Sequence, residues 1–553
     1  MQRQQVPQYR SGRLRHGRGA SSRRAAVLFG TMSALAIASS LAACGGSDSS
    51  DSASSSTPPQ TTTPTPTAES KCQAMLNMQF GEATITKATF SQASGALPER
   101  CVVVGHMPKD LSFELNLPTV WNQRQVFSGG GGFDGLIPPD PRVDISPNLK
   151  ERGYVTIASN HGHTSAGNAT SIGGIDAEFA LDQDMLNDYA FLSVPRVIGP
   201  ARAVMAYVYG EQVVASSKSI YEGCSGGGRQ ALLQAQRNPT LFDGIIARAP
   251  ANAYIPQFLY YQKSFKQLAQ PGAALSTAKI KTIATAVLNK CDSLDGLKDN
   301  IIGKPDACQF DIAELRCTGA ESDSCLNDAQ IASAKSLYKP TDVASGRYTW
   351  PGFPFGGGED GSFGTPIWGN PIAKGLMDGF IKYMVARDAT VDPLQLDPTK
   401  YTTRLDELSS LIDAVNPDLS QFKAKGGKLF LWHGMADWLI TPNNTINYYN
   451  AVMTAAGGQA AADQFMEFYT APSVNHCALG NGADNVDLVG PMFDWLEKGT
   501  PPSANRIVAR TLYAAPGAAR ISRPLCRYPQ YPKYNGTGDP NVESSFSCTD
   551  PSQ

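Results

Sequence analysis

Histidine is scarce in this 553-residue chain, with only six present. Any chemistry that needs an imidazole base must draw on one of those six, so the candidates can be weighed one by one. Clustered positive charge is also missing. The net charge is −2 and no run of Lys or Arg follows the first 24 residues. The folded part therefore lacks the basic footprint of a nucleic-acid or anionic-membrane binder. Nor does any Cys-x-x-Cys spacing occur among the eleven cysteines, which removes the common zinc frameworks. What remains is a 42% apolar composition, ordinary for a soluble globular protein and long enough for two domains, or one with a large insertion.

Residues 1–44 read as an export signal. Arg10, Arg13, Arg15, Arg18, Arg23 and Arg24 form a basic start, Ala25 to Ala43 is small and apolar, and Leu41-Ala42-Ala43-Cys44 closes it. That ending fits a bacterial lipobox, with Cys44 lipidated after cleavage, or an ordinary signal peptide with small residues at its cleavage site. Both readings export the chain, as a periplasmic, cell-surface or outer-membrane lipoprotein or as a secreted protein. Residues 45–70 are Ser, Thr and Pro with almost nothing to bury, a disordered tether. Membrane contact is expected only through this anchor. The oligomeric state is not legible.

An exported chain favours disulfides. Without Cys44 ten cysteines remain, an even number that predicts five bridges. Proximity suggests Cys72–Cys101, Cys291–Cys308, Cys317–Cys325 and Cys526–Cys548, which leaves Cys224 and Cys477 over.

Cys224 precedes Ser225 inside Gly223-Cys224-Ser225-Gly226-Gly227, a G-x-S-x-G between the strand-like SIYEG and a helical pattern. In that context the serine is read as a nucleophile on a strained strand-to-helix turn; a glycine-rich turn capping a helix is the plainer alternative. A serine hydroxyl needs a histidine to take its proton and an acid to hold that histidine. His16 lies in the export signal, His106 follows an apolar run, and His161 and His163 end the strand-like VTIASN. His433 ends the strand-like LFLW, while His476 sits in a loop after QFMEFYT. In α/β-hydrolases the order is Ser, acid, His. Ser225, Asp437 and His476 fit it, with Asp437 in LWHGMAD just past a strand. His433 as base would need an acid between it and Ser225, without a comparable strand-loop setting. Asp437 could otherwise be a capping aspartate. An oxyanion hole requires two inward amides. Gly226 is one candidate, and Gly132, last of the four glycines in VFSGGGGFDG, is preferred for the other.

Taken together, Gly223-Cys224-Ser225-x-Gly227-Gly228, the HGMAD loop and Asn475-His476-Cys477 resemble the tannase and feruloyl esterase family, over roughly residues 70 to 550. That family also contains mono(2-hydroxyethyl) terephthalate hydrolase. The resemblance implies an α/β-hydrolase core with a mostly parallel sheet, a large lid inserted between nucleophile and acid, and small-molecule esters of aromatic acids as substrates. It implies Ser225 as nucleophile, Asp437 as acid, His476 as base, and Gly132 and Gly226 as oxyanion donors. It further implies a Cys224–Cys477 disulfide, which would fix the nucleophile and base loops against each other. Asp292, Asp295 and Asp299, with the carbonyls of Leu297 and Ile301, look like the family's calcium loop. Those are hard oxygen donors, although read alone the segment is equally a solvated turn. A structural Ca²⁺ in the lid and no organic cofactor are the expectation.

Strand-like and helical segments alternate before about Ala253 and again after about Gly426, the pattern of a parallel sheet with crossovers. The expected organisation is a catalytic core of residues 71–252 and 426–553, with residues 253–425 inserted as the lid. Trp350, Phe353, Phe355, Phe363, Trp368, Phe380 and Tyr383 could line a lid pocket or form the lid's own small core. A lid arginine for a terephthalate carboxylate is missing from Pro366–Ala386, and Gly226 carries no side chain. Feruloyl, galloyl or related phenolic esters are therefore preferred over the terephthalate half ester. A surface-binding protein that keeps the fold without the chemistry and a serine peptidase are the other readings.

Overall fold

The computed structural model describes residues 67–138, 145–165, 174–361, 367–512 and 520–552. Residues 1–66, which hold the expected export signal with Cys44 and most of the expected tether, and Phe363 lie outside the described residues. Thr65–Gln553 is one compact unit.

In chain order the strands are β1 (Gln79–Phe80), β2 (Ala83–Ser91), β3 (Arg100–Met107), β4 (Leu111–Pro118), β5 (Arg124–Ser128), β6 (Val155–Ser159), β7 (Lys218–Cys224) and β8 (Gly244–Arg248). A hairpin of β9 (Thr341–Val343) and β10 (Tyr348–Trp350) follows, then β11 (Lys428–Gly434) and β12 (Met466–Ala471). A ribbon of β13 (Val508–Arg510) and β14 (Ser522–Pro524) precedes β15 (Cys526–Arg527). Eleven strands form one sheet in the order β1-β2-β3-β4-β6-β5-β7-β8-β11-β12-β15. The six from β6 to β12 in that order are mutually parallel. Four of them, β6, β7, β11 and β12, contain the segments VTIAS, SIYEG, LFLW and MEFYT that the sequence marks as strand-like.

Side-chain alternation explains why this centre is buried on both faces. Phe127, Tyr221, Ile245, Leu429, Leu431 and Phe468 point into one core. Their neighbours Val126, Ile220, Ile246, Phe430, Trp432 and Tyr469 point into the other. An antiparallel flank, β1 to β4, extends the sheet beyond β6. Its alternation is readable in RCVVVGHM and LSFELNLP, whose odd-numbered residues are all buried, but the sequence reading did not assign it.

Strands β8 and β11 pair directly, yet residues 249–427 separate them. That excursion is built on the helix Tyr254–Leu268. Phe258 stacks on Phe380 at 4.9 Å and Tyr260 on Trp350 at 5.2 Å. Trp350, Phe353, Trp368 and Phe380 are all buried in one cluster that also takes in Phe133, Phe179 and Tyr189 from the preceding segment, so these four aromatics help to pack the insertion onto the core. Among the described residues no helix is long and apolar enough to cross a membrane.

Candidate active site

Ser225 stands between β7 and the helix Gly226–Arg237 with φ 63° and ψ −123°. A non-glycine residue there is strained, and such strain persists only when its surroundings over-determine it. They do so by close backbone approach. A Cβ on Gly223 would lie 2.6 Å from the Gly227 carbonyl carbon, and one on Gly228 would lie 2.4 Å from the Arg248 oxygen. The Ser225 amide donates to Arg248 O, and the amides of Arg229 and Ala251 both donate to Ser225 O.

Asp437 follows β11 and is buried. Its Oδ1 accepts from the amides of Leu439 and Ile440, each at 2.8 Å. Its Oδ2 accepts from His476 Nδ1 at 2.7 Å and from His433 Nε2 at 3.1 Å. Burial opposes ionisation, but the two imidazoles outweigh it and hold the carboxyl well below the usual carboxylate range. His476 Nε2 is buried without a hydrogen-bond partner. The Cys224–Cys477 disulfide, with 5.9 Å between Cα atoms and 253 positions between its ends, ties the residue before Ser225 to the residue after His476. No direct hydrogen bond joins Ser225 to His476 Nε2 in this structure, a looseness common before substrate binds. Cys72–Cys101, Cys291–Cys308, Cys317–Cys325 and Cys526–Cys548 also form.

The glycine loop lies against the elbow. A Cβ on Gly226 would sit 3.4 Å from Gly132 N and 3.1 Å from Gly132 O. Gly132 has φ +55°, a conformation that suits glycine. Tyr189 Oη donates to Gly132 O at 3.1 Å. Behind the loop, Asp134 accepts from Gln230 Nε2 at 2.7 Å and faces His161 Nε2 at 3.3 Å. His161 is thus a buried support. His163 stacks on Phe179 at 3.9 Å, and burial lowers its pKa to about 4. His106 Nδ1 pairs with Ser112 Oγ across β3 and β4.

Two supporting groups escaped the sequence reading. Glu222, three residues before Ser225, forms a fully buried pair with Arg248 at 2.8 Å, and Ser146 bonds both Glu222 carboxylate oxygens. Arg229, four residues after Ser225, donates to the carbonyls of Tyr189, Ala190 and Ile412 and lies 4.9 Å from the Tyr189 ring centre. The only available signal was a charged residue inside an otherwise apolar strand or a helix bearing small residues.

The acidic loop is closed largely on its own amides. Asp292 accepts from the amides of Asp299, Asn300 and Ile301, and Asp295 accepts from those of Leu297 and Gly303. Asp299 pairs with Arg523 at 2.7 Å. Among the described residues no group of three or more His, Cys, Asp or Glu side chains stands at metal-holding spacing. The donor chemistry nonetheless suits a hard cation. Burial, together with the charges of Asp299 and Asp292, pushes Asp295 up to about 7, and a divalent ion would relieve that repulsion.

A family model described as tannase and feruloyl esterase matches residues 96–549. An uncharacterised esterase of Agrobacterium fabrum is 30% identical over 488 residues, covering 82% of this chain and 86% of that protein. Mono(2-hydroxyethyl) terephthalate hydrolase of Piscinibacter sakaiensis is 29% identical, covering 84% of this chain and 87% of its own. The crystal structure of feruloyl esterase B from Aspergillus oryzae superposes with a TM-score of 0.76 at 22% identity, over 87% of this chain and all of that one. At that identity the likeness concerns the fold.

Proposed function

Because the chain belongs to the tannase and feruloyl esterase family and is a carboxylic ester hydrolase, we propose that it is an exported serine esterase cleaving esters of phenolic aromatic acids. Ser225 Oγ attacks the ester carbonyl while His476 Nε2 takes its proton, and Asp437 holds the Nδ1–H of the resulting imidazolium. The amides of Gly132 and Gly226 receive the charge that develops on the carbonyl oxygen. His476 then protonates the departing alcohol, and a water activated by the same nitrogen releases the acid from the acyl-enzyme. The observation that carries this reading is the elbow conformation of Ser225, crosslinked one residue away to the loop of an imidazole held by a buried carboxylate.

Five disulfides fit a chain that folds in an oxidising compartment, which supports export; Cys44 remains the proposed lipid site. Asp292, Asp295 and Asp299, with the carbonyls of Leu297 and Ile301, are proposed to hold a structural Ca²⁺. When bound it would supply charge neutralisation and rigidity to the lid, with no part in the acyl transfer.

A phenolic acid is preferred over the terephthalate half ester. Gly226 offers no side chain beside the nucleophile. Arg387, just past the arginine-free stretch Pro366–Ala386, is engaged with the carbonyls of Ala180 and Leu181. The terephthalate reading draws its support from the Piscinibacter relative.

Ser225→Ala is expected to lower esterase activity by about 10⁵–10⁶-fold and abolish labelling by a fluorophosphonate probe. Full activity in that variant would overturn the triad. An unlabelled native protein would favour a binding function, and amide cleavage outrunning ester cleavage would favour a peptidase. A panel of methyl ferulate, methyl gallate, chlorogenate and the terephthalate half ester assigns the acid. No hydrolysis of any would remove the substrate class and leave the triad.

A further inference from the structure

We propose that His433 is a positioning residue for the acid, a second imidazole that keeps Asp437 charged and oriented beneath His476; this rests on the Ser225–His476–Asp437 reading above. His433 Nε2 lies 3.1 Å from Asp437 Oδ2 and 3.2 Å from Ile440 O. Both neighbours are acceptors, a carboxylate and a carbonyl, so Nε2 carries the hydrogen whatever the state of the other nitrogen. His433 Nδ1 is 2.8 Å from Thr445 Oγ1. With both nitrogens bonded and the side chain fully buried, His433 has no lone pair to offer a serine. It is therefore unsuited to be the base and well suited to hold the acid.

The consequence follows from the shared oxygen. Asp437 Oδ2 receives both imidazoles and Oδ1 both amides, so the carboxylate has four donors and no place for water. A carboxylate so satisfied is a weak base. When His476 becomes an imidazolium, its Nδ1 proton stays on the ring and is not lost to the acid, so Nε2 keeps the proton taken from Ser225 for the departing alcohol. Removing His433 leaves Oδ2 with one donor. The oxygen then pulls harder on the His476 Nδ1 proton, which favours the protonated imidazole and leaves the Asp437 rotamer less constrained. The other titratable group acting on Asp437 is Tyr261, from the helix Tyr254–Leu268. Its hydroxyl donates to Leu439 O, and burial, with the Asp437 charge, keeps it neutral well above 10.

The test compares His433→Phe, His433→Gln and His433→Asn in the full chain with 4-nitrophenyl acetate, following kcat and KM from roughly pH 5 to 9. The Phe variant is expected to lose kcat by on the order of 10–100-fold, through misplacement of the acid. KM should be little changed, and the acid limb of the kcat/KM profile should move to higher pH. The Gln variant, whose amide N–H reaches Oδ2, should recover most of the rate and restore the limb. A lowered rate with an unmoved limb would mean that His433 only stabilises the fold and would overturn the proposal. Should the Phe variant not fold, the comparison falls to Gln against the shorter Asn: a restored limb in Gln and a displaced one in Asn supports the role, and identical profiles overturn it. Ser225→Ala is assayed alongside. Activity retained there defeats the triad reading itself, whereas an inactive Ser225→Ala with an unmoved limb in the His433 variants defeats the role of His433 alone.

Discussion

Two buried carboxyl groups flank the contact between the core and the inserted segment, and their environments drive them in opposite directions. Ala436, before Asp437, and Gly358, before Glu359, meet so closely that a Cβ on Gly358 would lie 2.0 Å from Ala436 O. Asp437 has two amides and two imidazoles on its oxygens and is held ionised. Glu359 is equally buried, but burial outweighs its own amide and the Tyr338 hydroxyl, and the negative Asp360 adds to the rise, so its pKa climbs to about 7. Its Oε2 has no partner. Burial penalises charge in both places, so the number and charge of the donors decide which carboxyl keeps it. One carboxyl is built to work as an anion. The other is a cost that the packing of the insertion carries.

The largest effect expected from breaking this contrast is on the core side. Asp437→Asn keeps the shape but loses the charge and one acceptor, so His476 is held in the wrong tautomer. A fall in kcat of about 10³–10⁴-fold with unfolding temperature nearly unchanged is expected, measured by steady-state kinetics and a thermal melt. Glu359→Gln probes the insertion. Because the folded pKa lies above the unfolded value, the native state binds the extra proton between about pH 4.5 and 7. Native-protein stability therefore falls as pH rises through that window. The variant should lack this contribution and gain on the order of 2–3 kcal/mol relative to native protein at pH 8, with no gain at pH 4. Urea denaturation at both pH values reads the difference, and parallel curves for the two proteins would contradict it. The smallest effect concerns a third answer to buried charge, the Asp292–Asp295–Asp299 loop. If its repulsion is relieved by calcium, free calcium tenfold above Kd adds about 1.4 kcal/mol. Chelation should then lower the unfolding temperature while leaving kcat unchanged at a permissive temperature. An unmoved melt would remove calcium from the loop.

Much of this architecture was legible because its signals are local. Val126-Phe127, Ile220-Tyr221 and Leu429 to Trp432 are near-continuous apolar runs of the kind a sheet covered on both faces demands, and the glycines around Ser225 mark a turn that admits nothing larger. The partners of Glu222, Arg229 and Tyr189 were not legible, because each meets its match through the crossing of separate elements. Arg229 reaches the carbonyl of Ile412, 183 positions away. The direction of the Glu359 shift was equally hidden, since nothing in GGGED tells a solvated carboxyl from a buried one that meets the Tyr338 hydroxyl.

By itself, the sequence determined the family, the order of the parallel strands along the chain, the strained turn at Ser225 and the set of cysteines available for crosslinking. These are properties of periodicity, residue size and short motifs, which act over a few neighbours. Only the tertiary structure decided that His433 and His476 share one oxygen of Asp437, that Gly132 is held by Tyr189, and that one buried carboxyl stays charged while another is pushed towards neutrality. Those outcomes depend on how many donors converge at a point sealed from water, and convergence exists only once distant segments have packed.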